Sequence, residues 1–467
     1  MDDRPNIILL SVDEMTYSAL SCNGNIWLDT PNMDELFQNG VGFERSYSTN
    51  PVCSPARSSW ATGRYTSEIG SCMNFCRMDD AVADIGQIME KAGYYPVHAG
   101  KWHVEGRNPR GSFHCLYYGN DEMWAYGAEI FDSATTHAAI SFLQDYNGKK
   151  PFYLQLGYVN PHDMCEYLHN YEFKRIPDLS KYHLIGKLPP LPENFGIFPN
   201  ETAVLKAFRR SEDCLIHKDI RKAVSAWSEE EWRYFIWNYY RYTEKVDVEI
   251  GKVITALLGS RFWKNTIILF TVDHGESLGE HSMFQKFTLY EESIHVPLAV
   301  VDFSKKYVKS PGRRSRALVS GVDVFGTICD YAKAENSTNA ESVRKIVEGN
   351  QDSLREYVYV ENNYWGRAIV GSRYKLVFDY IPGHEFDYMP PRMRTHRVGD
   401  KQFFDLLTDP HETVDLSRTM TAEIEKMLQW TQNFEEELDS QYVHDSAKNL
   451  VERCQKRVCR EYEKSKL

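Results

Sequence analysis

TIILFTVDHGE, residues 266–276, is a short unbroken apolar run that stops abruptly at an aspartate, a histidine, a glycine and a glutamate. A run of this length bounded by turn residues reads as a strand buried on both faces, the kind found in parallel sheets. The same form recurs along the chain. NIILLSV (Asn6 to Val12) runs into Asp13-Glu14, and VGFERSYS (Val41 to Ser48) runs into a loop that leads to Cys53. YYPVHAG (Tyr94 to Gly100) runs into Lys101-Trp102-His103, and PFYLQLGYV (Pro151 to Val159) into Asn160-Pro161-His162. Between these runs, Thr30 to Asn39, Asp84 to Ala92, Ser133 to Tyr146 and Glu229 to Leu258 carry helical spacing. The alternation predicts an α/β fold, doubly wound around a mostly parallel sheet. In such sheets ligands bind beyond the carboxyl ends of the strands, so five strands that each deliver polar residues there predict one shared site.

The totals narrow the function. Across 467 residues, 54 Lys and Arg stand against 66 Asp and Glu, a formal net charge of −12. That balance excludes a general nucleic-acid or anionic-membrane surface, which needs a basic face, so any anionic substrate must meet a local basic pocket. No apolar run reaches the length of a membrane span, and MDDRPNIILLSVD lacks the basic start and cleavage site of a signal peptide. Taken as written, the chain is expected in the cytoplasm, or in the periplasm or outside the cell if a leader has been trimmed. The ten cysteines are scattered and form no zinc or small-scaffold disulfide pattern.

Residues 1–349 are expected to form the catalytic domain, with an irregular, proline-bearing insertion at about 166–230 that shapes the substrate pocket. From residue 350, EYVYVENN, RAIVGSRYKLVFDY and KQFFDLLTDP predict a smaller C-terminal subdomain (350–467) with an antiparallel sheet. Amphipathic helices at Ala422 to Leu438 and Ser446 to Lys464 close it.

NPVCSPARSSWATGR (Asn50 to Arg64) places Cys53 at the amino end of a helix predicted over Ser54 to Arg64, with Pro55 suited to the first turn. Free N–H groups and the helix dipole make that end a site for sulfate or phosphate, and Arg57 offers a fork for a tetrahedral oxyanion. A cysteine phosphatase fits poorly, because the residue six after Cys53 is Ser59 rather than arginine. Asp13, Glu14, Asp273 and His274, at the ends of separate strands, supply a donor set for a divalent cation.

Cys53-x-Pro55-x-Arg57 resembles the signature of the type I sulfatases in the alkaline-phosphatase-like superfamily. Gly100-Lys101-Trp102-His103, Pro161-His162, Asp273-His274-Gly275 and Lys286 match further family motifs, and the likeness runs from residue 6 to about 416. The resemblance implies an alkaline-phosphatase-like fold and oxidation of Cys53 to formylglycine by a maturase. It implies a metal held by Asp13, Glu14, residue 53, Asp273 and His274, with calcium the first expectation; Glu14 stands where an aspartate is commoner. It further implies that the hydrated aldehyde attacks sulfur, that sulfate passes to residue 53 as the alcohol leaves, and that His103 helps to release it. Arg57 and Lys101 would stabilise charge, His162 and Lys286 would contact the sulfate and protonate the leaving oxygen, and His281 would sit behind the site. A carbohydrate sulfate is the expected substrate, stacked on aromatics such as Tyr117-Tyr118, Trp124-Tyr126 and Tyr364-Trp365. Two alternatives stay open: a phosphonate or phosphate monoester hydrolase of the same superfamily, and an inactive sulfatase-fold binding protein.

Overall fold

The computed structural model describes residues 3–438 except 119–126, 363–365, 382–396 and most of 166–222. The helix expected at 446–464, the stretches around Trp124 and Trp365, and much of the 166–230 insertion lie outside the described residues. In chain order the main elements are β1 (Asn6–Asp13), α1 (Pro31–Asn39), β2 (Gly40–Tyr47), α2 (Cys53–Thr62), α3 (Ile85–Lys91), β3 (Tyr95–Gly100) and β4 (His114–Tyr117). They continue with α4 (Ala128–Asp145), β5 (Phe152–Pro161), α5 (Glu229–Gly259), β6 (Thr266–Val272), β7 (Leu298–Val301), β8 (Arg313–Ser320) and α6 (Val322–Ala332). The last are β9 (Val358–Asn362), β10 (Gly366–Val370), β11 (Tyr374–Ile381), β12 (Arg397–Asp405) and α7 (Thr421–Glu437).

Eight strands form the large sheet in the order β4-β3-β5-β1-β6-β7-β2-β8. All neighbours are parallel except β7, which runs antiparallel to both β6 and β2. Alternation along β1 explains the two layers. Ile8, Leu10 and Val12 face a core filled by α1, α4 and α5, while Ile7 and Leu9 face the core under α2, α3 and α6. The longest helix, α5, begins with a capping box: Ser228 Oγ accepts from the Glu231 amide at 3.3 Å, and the Glu231 carboxylate accepts from the Ser228 amide at 2.7 Å. No described helix is long and apolar enough to cross a membrane.

The small sheet is an antiparallel meander, β12-β11-β10-β9. Val358, Val360, Ala368 and Val370 pack one of its faces against Tyr47, Tyr290 and Leu318 of the large layer. Tyr359, Ile369 and Phe378 pack the other beneath Ile424 and Met427 of α7. Arg367 is fully buried there, with Glu435 at 3.1 Å and its guanidinium over the rings of Tyr359 and Tyr380.

Candidate active site

Register assembles the site. β1 and β6 pair residue for residue, Val12 beside Val272, so Asp13 and Asp273 leave the sheet side by side. β3 ends with Gly100 beside Gly157 of β5, which runs on to Pro161. Gly100 has φ +96°, and a Cβ there would lie 2.1 Å from the Gly157 carbonyl oxygen, so glycine is required for the turn that delivers Lys101 and His103.

The cysteine helix begins at Cys53 itself, one residue earlier than expected, and ends at Thr62 because Gly63 turns left-handed and donates its N–H to Ser59 O. Every residue of α2 is buried, and Cys53 is only 1% exposed. Cys53 Sγ lies 3.0 Å from His274 Nε2, 3.3 Å from Lys286 Nζ and 3.7 Å from Asp13 Oδ1. Arg57 sends Nε to Asp273 Oδ2 at 2.7 Å and Nη2 to Asp13 Oδ2 at 3.5 Å, so it braces the carboxylates. Lys101 Nζ pairs with the same oxygen of Asp13.

Ligating atoms of Asp13, Cys53, Asp273 and His274 all lie within 4.8 Å of one another, and all four residues are buried. Asp273 Oδ1 accepts from the amides of Glu14 (3.0 Å) and His274 (2.9 Å), which fixes its carboxylate. His274 Nδ1 lies 3.0 Å from the Gly275 carbonyl, to which it donates, so Nε2 is the nitrogen directed at the cluster. Two carboxylates, one imidazole and the position-53 atom suit a divalent cation. Glu14 is the expected ligand that this set does not include. It sits at φ +62°, and the left-handed turn points its carboxylate at Lys286 Nζ (2.8 Å) and His162 Nε2 (3.6 Å). His103 hydrogen-bonds toward Cys53 and lies 3.5 Å from Glu105 Oε1. His281 stands in a different buried cluster, stacked on Tyr290 at 3.8 Å.

Around residue 53 burial and Asp13 raise the Asp273 pKa, while the other charges reinforce one another. Burial alone would raise the Cys53 thiol pKa, but Lys286, His274 and Lys101 outweigh it and hold the thiol well below its usual range. Burial and Cys53 would raise Asp13, yet Lys101, His162 and Arg57 hold it well below the usual carboxylate range. Burial opposes protonation of His274, and Asp273 and Cys53 push it up to about 9. The pocket is therefore built for an anion.

Three supporting residues carry no sequence signal of their role. Tyr239, buried in α5, donates its hydroxyl to Glu14 O at 2.7 Å and accepts from the Thr16 amide at 3.0 Å, holding the strained turn. Asp132, on α4, accepts from the amides of Val159 (2.7 Å) and Asn160 (3.0 Å), fixing the backbone ahead of His162. Glu105 orients His103. Only tertiary structure brings these groups to their partners.

A cysteine at a buried helix start, a compact carboxylate–imidazole cation set and converging cations at parallel strand ends define a metal-dependent hydrolase of the alkaline-phosphatase-like class. The sulfatase family model matches residues 5–334, and the chain belongs to that family. The model for the C-terminal region of N-sulphoglucosamine sulphohydrolase matches residues 279–441. An arylsulfatase of Clostridium perfringens is 24% identical, covering 88% of this chain and 90% of that protein. A Delta 4,5-hexuronate-2-O-sulfatase of Bacteroides thetaiotaomicron is 25% identical, covering 89% and 85%. Among solved structures, a 2-O GAG sulfatase superposes with a TM-score of 0.75 at 21% identity, covering 96% of both chains. The family uses a metal and a formylglycine, and in this chain Asp13, Cys53, Asp273 and His274 form a buried cluster of ligating groups.

Proposed function

We propose that this sulfatase hydrolyses the sulfate ester of a carbohydrate, using residue 53 as formylglycine after oxidation by a maturase. The observation that carries the reading is the burial of Cys53 among Lys286, His274 and Asp13, with Arg57 and Lys101 braced behind. The hexuronate-2-O-sulfatase relative supports a sugar as the alcohol half. A divalent cation, calcium in this proposal, would be held by Asp13, Asp273, His274 and residue 53 and would supply positive charge and Lewis acidity beside that residue.

The chain's own side chains do the rest. Arg57 and Lys101, fixed by Asp13 and Asp273, keep positive charge where the sulfuryl oxygens gain negative charge, the electrostatic contribution that usually dominates such sites. Lys286, between Glu14 and position 53, holds an outer sulfate oxygen. His162, beside the Glu14 carboxylate, gives a proton to the departing sugar oxygen. His103, oriented by Glu105, takes the proton whose loss frees sulfate from the enzyme. In this scheme Glu14 is a positioning residue for Lys286 and His162 rather than a direct metal ligand.

The test combines peptide mass with substrate choice. Enzyme expressed with the maturase should show the thiol-to-aldehyde mass change at position 53 and release sulfate from defined sulfated mono- and disaccharides, while Cys53→Ala releases none. Activity with position 53 wholly thiol would overturn the nucleophile. Faster hydrolysis of a phenylphosphonate ester than of any sulfate would replace the substrate class.

A further inference from the structure

Outside the catalytic cluster, three ligating side chains meet where the turn around His281, the short helix Glu291–Ile294 and the turn after β12 come together. His281 is 1% exposed, held at φ +52°, and its ring lies flat on Tyr290. Its ring meets the backbone of His411, and no side chain among the described residues hydrogen-bonds to either ring nitrogen. Glu292 is buried too, its Oε1 without a hydrogen-bond partner among the described residues and 4.0 Å from His281 Nε2. Glu412, 2% exposed, completes the group: ligating atoms of His281, Glu292 and Glu412 all lie within 4.8 Å of one another.

Charge does not balance there. Glu412 accepts from the Glu291 amide at 2.7 Å and from Lys375 Nζ at 2.8 Å, and Lys375 also serves Glu291 at 3.0 Å. The nearby Arg209 is occupied by Glu201 and by the His281 carbonyl at 2.8 Å. Glu291 and Glu412 thus share Lys375, Glu291 also lying 3.5 Å from His295 Nδ1, while among the described residues Glu292 has only His281 within ion-pair distance. A buried carboxylate oxygen without a hydrogen-bond partner is costly, and one cation between Glu292 Oε1 and the facing imidazole nitrogen would satisfy it.

We propose that His281, Glu292 and Glu412 hold a second divalent cation of the zinc class. One neutral imidazole with two carboxylates is a zinc-type donor set, whereas calcium and magnesium prefer oxygen alone. Ligands about 2.0–2.2 Å from one tetrahedral ion stand about 3.3–3.6 Å apart, so the His281 to Glu292 spacing needs only a small contraction. The outer partners are in place: Lys375 and the Glu291 amide orient Glu412, and Tyr290 fixes the imidazole plane. Glu280 and His411, the chain neighbours of His281 and Glu412, line a cavity of about 440 Å³ with Trp27, Pro192 and Tyr240. A bound ion would tie the turn that precedes Lys286 to the C-terminal turn at Glu412. The site is structural, and it does not depend on the sulfatase reading.

The test removes the catalytic cluster first. In a Cys53→Ala/Asp273→Asn background, stripped with chelator and dialysed, zinc is titrated alone and counted by elemental analysis, and cobalt is titrated for its visible absorption bands. The expected result is one equivalent of zinc and a tetrahedral cobalt spectrum. Adding Glu292→Gln, which keeps shape, should lower zinc affinity at least tenfold, and adding His281→Gln should abolish the cobalt bands, with folding followed by circular dichroism. Failure of the background variant, folded by circular dichroism, to bind either metal overturns the proposal and leaves the carboxyls protonated. Retention of full binding by the folded Glu292→Gln variant overturns it too.

Discussion

Tyr239→Phe tests whether the turn at Glu14 is held from α5. The hydroxyl is fully buried and makes two hydrogen bonds, 2.7 Å to Glu14 O and 3.0 Å to the Thr16 amide. Phenylalanine keeps the ring and removes both bonds. Losing a partner costs a buried polar group about 1–3 kcal/mol, so two such groups, partly re-solvated, give roughly 2–4 kcal/mol. With an unfolding entropy of about 2.1 cal/mol/K per residue, the whole chain has roughly 1 kcal/mol/K, and the Tm should fall by about 2–4 °C. The catalytic effect should be larger. Freed from the clamp, the left-handed turn relaxes, and the Glu14 carboxylate leaves Lys286 and His162. A displacement near 1 Å costs on the order of 100-fold in rate, so kcat toward an alkyl or sugar sulfate should drop at least tenfold while KM changes less. Calorimetry and sulfate release measure the two effects. A variant with unchanged Tm and unchanged kcat would refute the clamp.

Asp273→Asn should lose the catalytic ion by elemental analysis, whereas Glu14→Gln should retain it and lose rate; equal loss of metal in both would return Glu14 to the ligand set. His103→Ala should give a burst of alcohol followed by slow turnover, and His162→Ala should give none and remain most impaired on substrates with poor leaving groups. Identical burst behaviour would contradict the assigned roles. Burial pushes His98 down to about 4 from 6.5, so its unfolded form binds the proton first. Its contribution is therefore complete above about pH 6.5 and is lost as pH falls toward 4, amounting to about 3 kcal/mol. His98→Gln should flatten the fall in stability across that window, and an unchanged slope would count against it.

Most strands that deliver the site are legible because they are apolar on both faces and end in polar residues; β2, with Glu44 and Arg45, is the exception. β4, β7 and β8 are not legible. β4 is short and half exposed, β7 is only four residues long, and β8 begins with Arg313-Arg314 at the sheet edge, where charge is tolerated. The start of α4 was missed by five residues, expected at Ser133 and found at Ala128. Its first amide is capped by Asp163, a contact at 2.8 Å that sequence spacing does not encode. Glu14 shows the same limit at the site itself. Adjacent acids read as a pair, but one left-handed residue turns them to different partners.

The pairing of β1 with β6 also sets a clock. Cys53 is sealed by groups from the whole first part of the chain, including Asp273, His274 and Lys286, so its pocket cannot close until those residues exist. From residue 53 to residue 273 the ribosome adds about 220 residues, which at about 5–20 residues per second takes roughly 10–45 s. During that interval the thiol stands open; afterwards it is 1% exposed. On the proposal that a maturase oxidises residue 53, that enzyme meets the thiol before the pocket closes, and the active fraction of a preparation would follow the race between folding and modification.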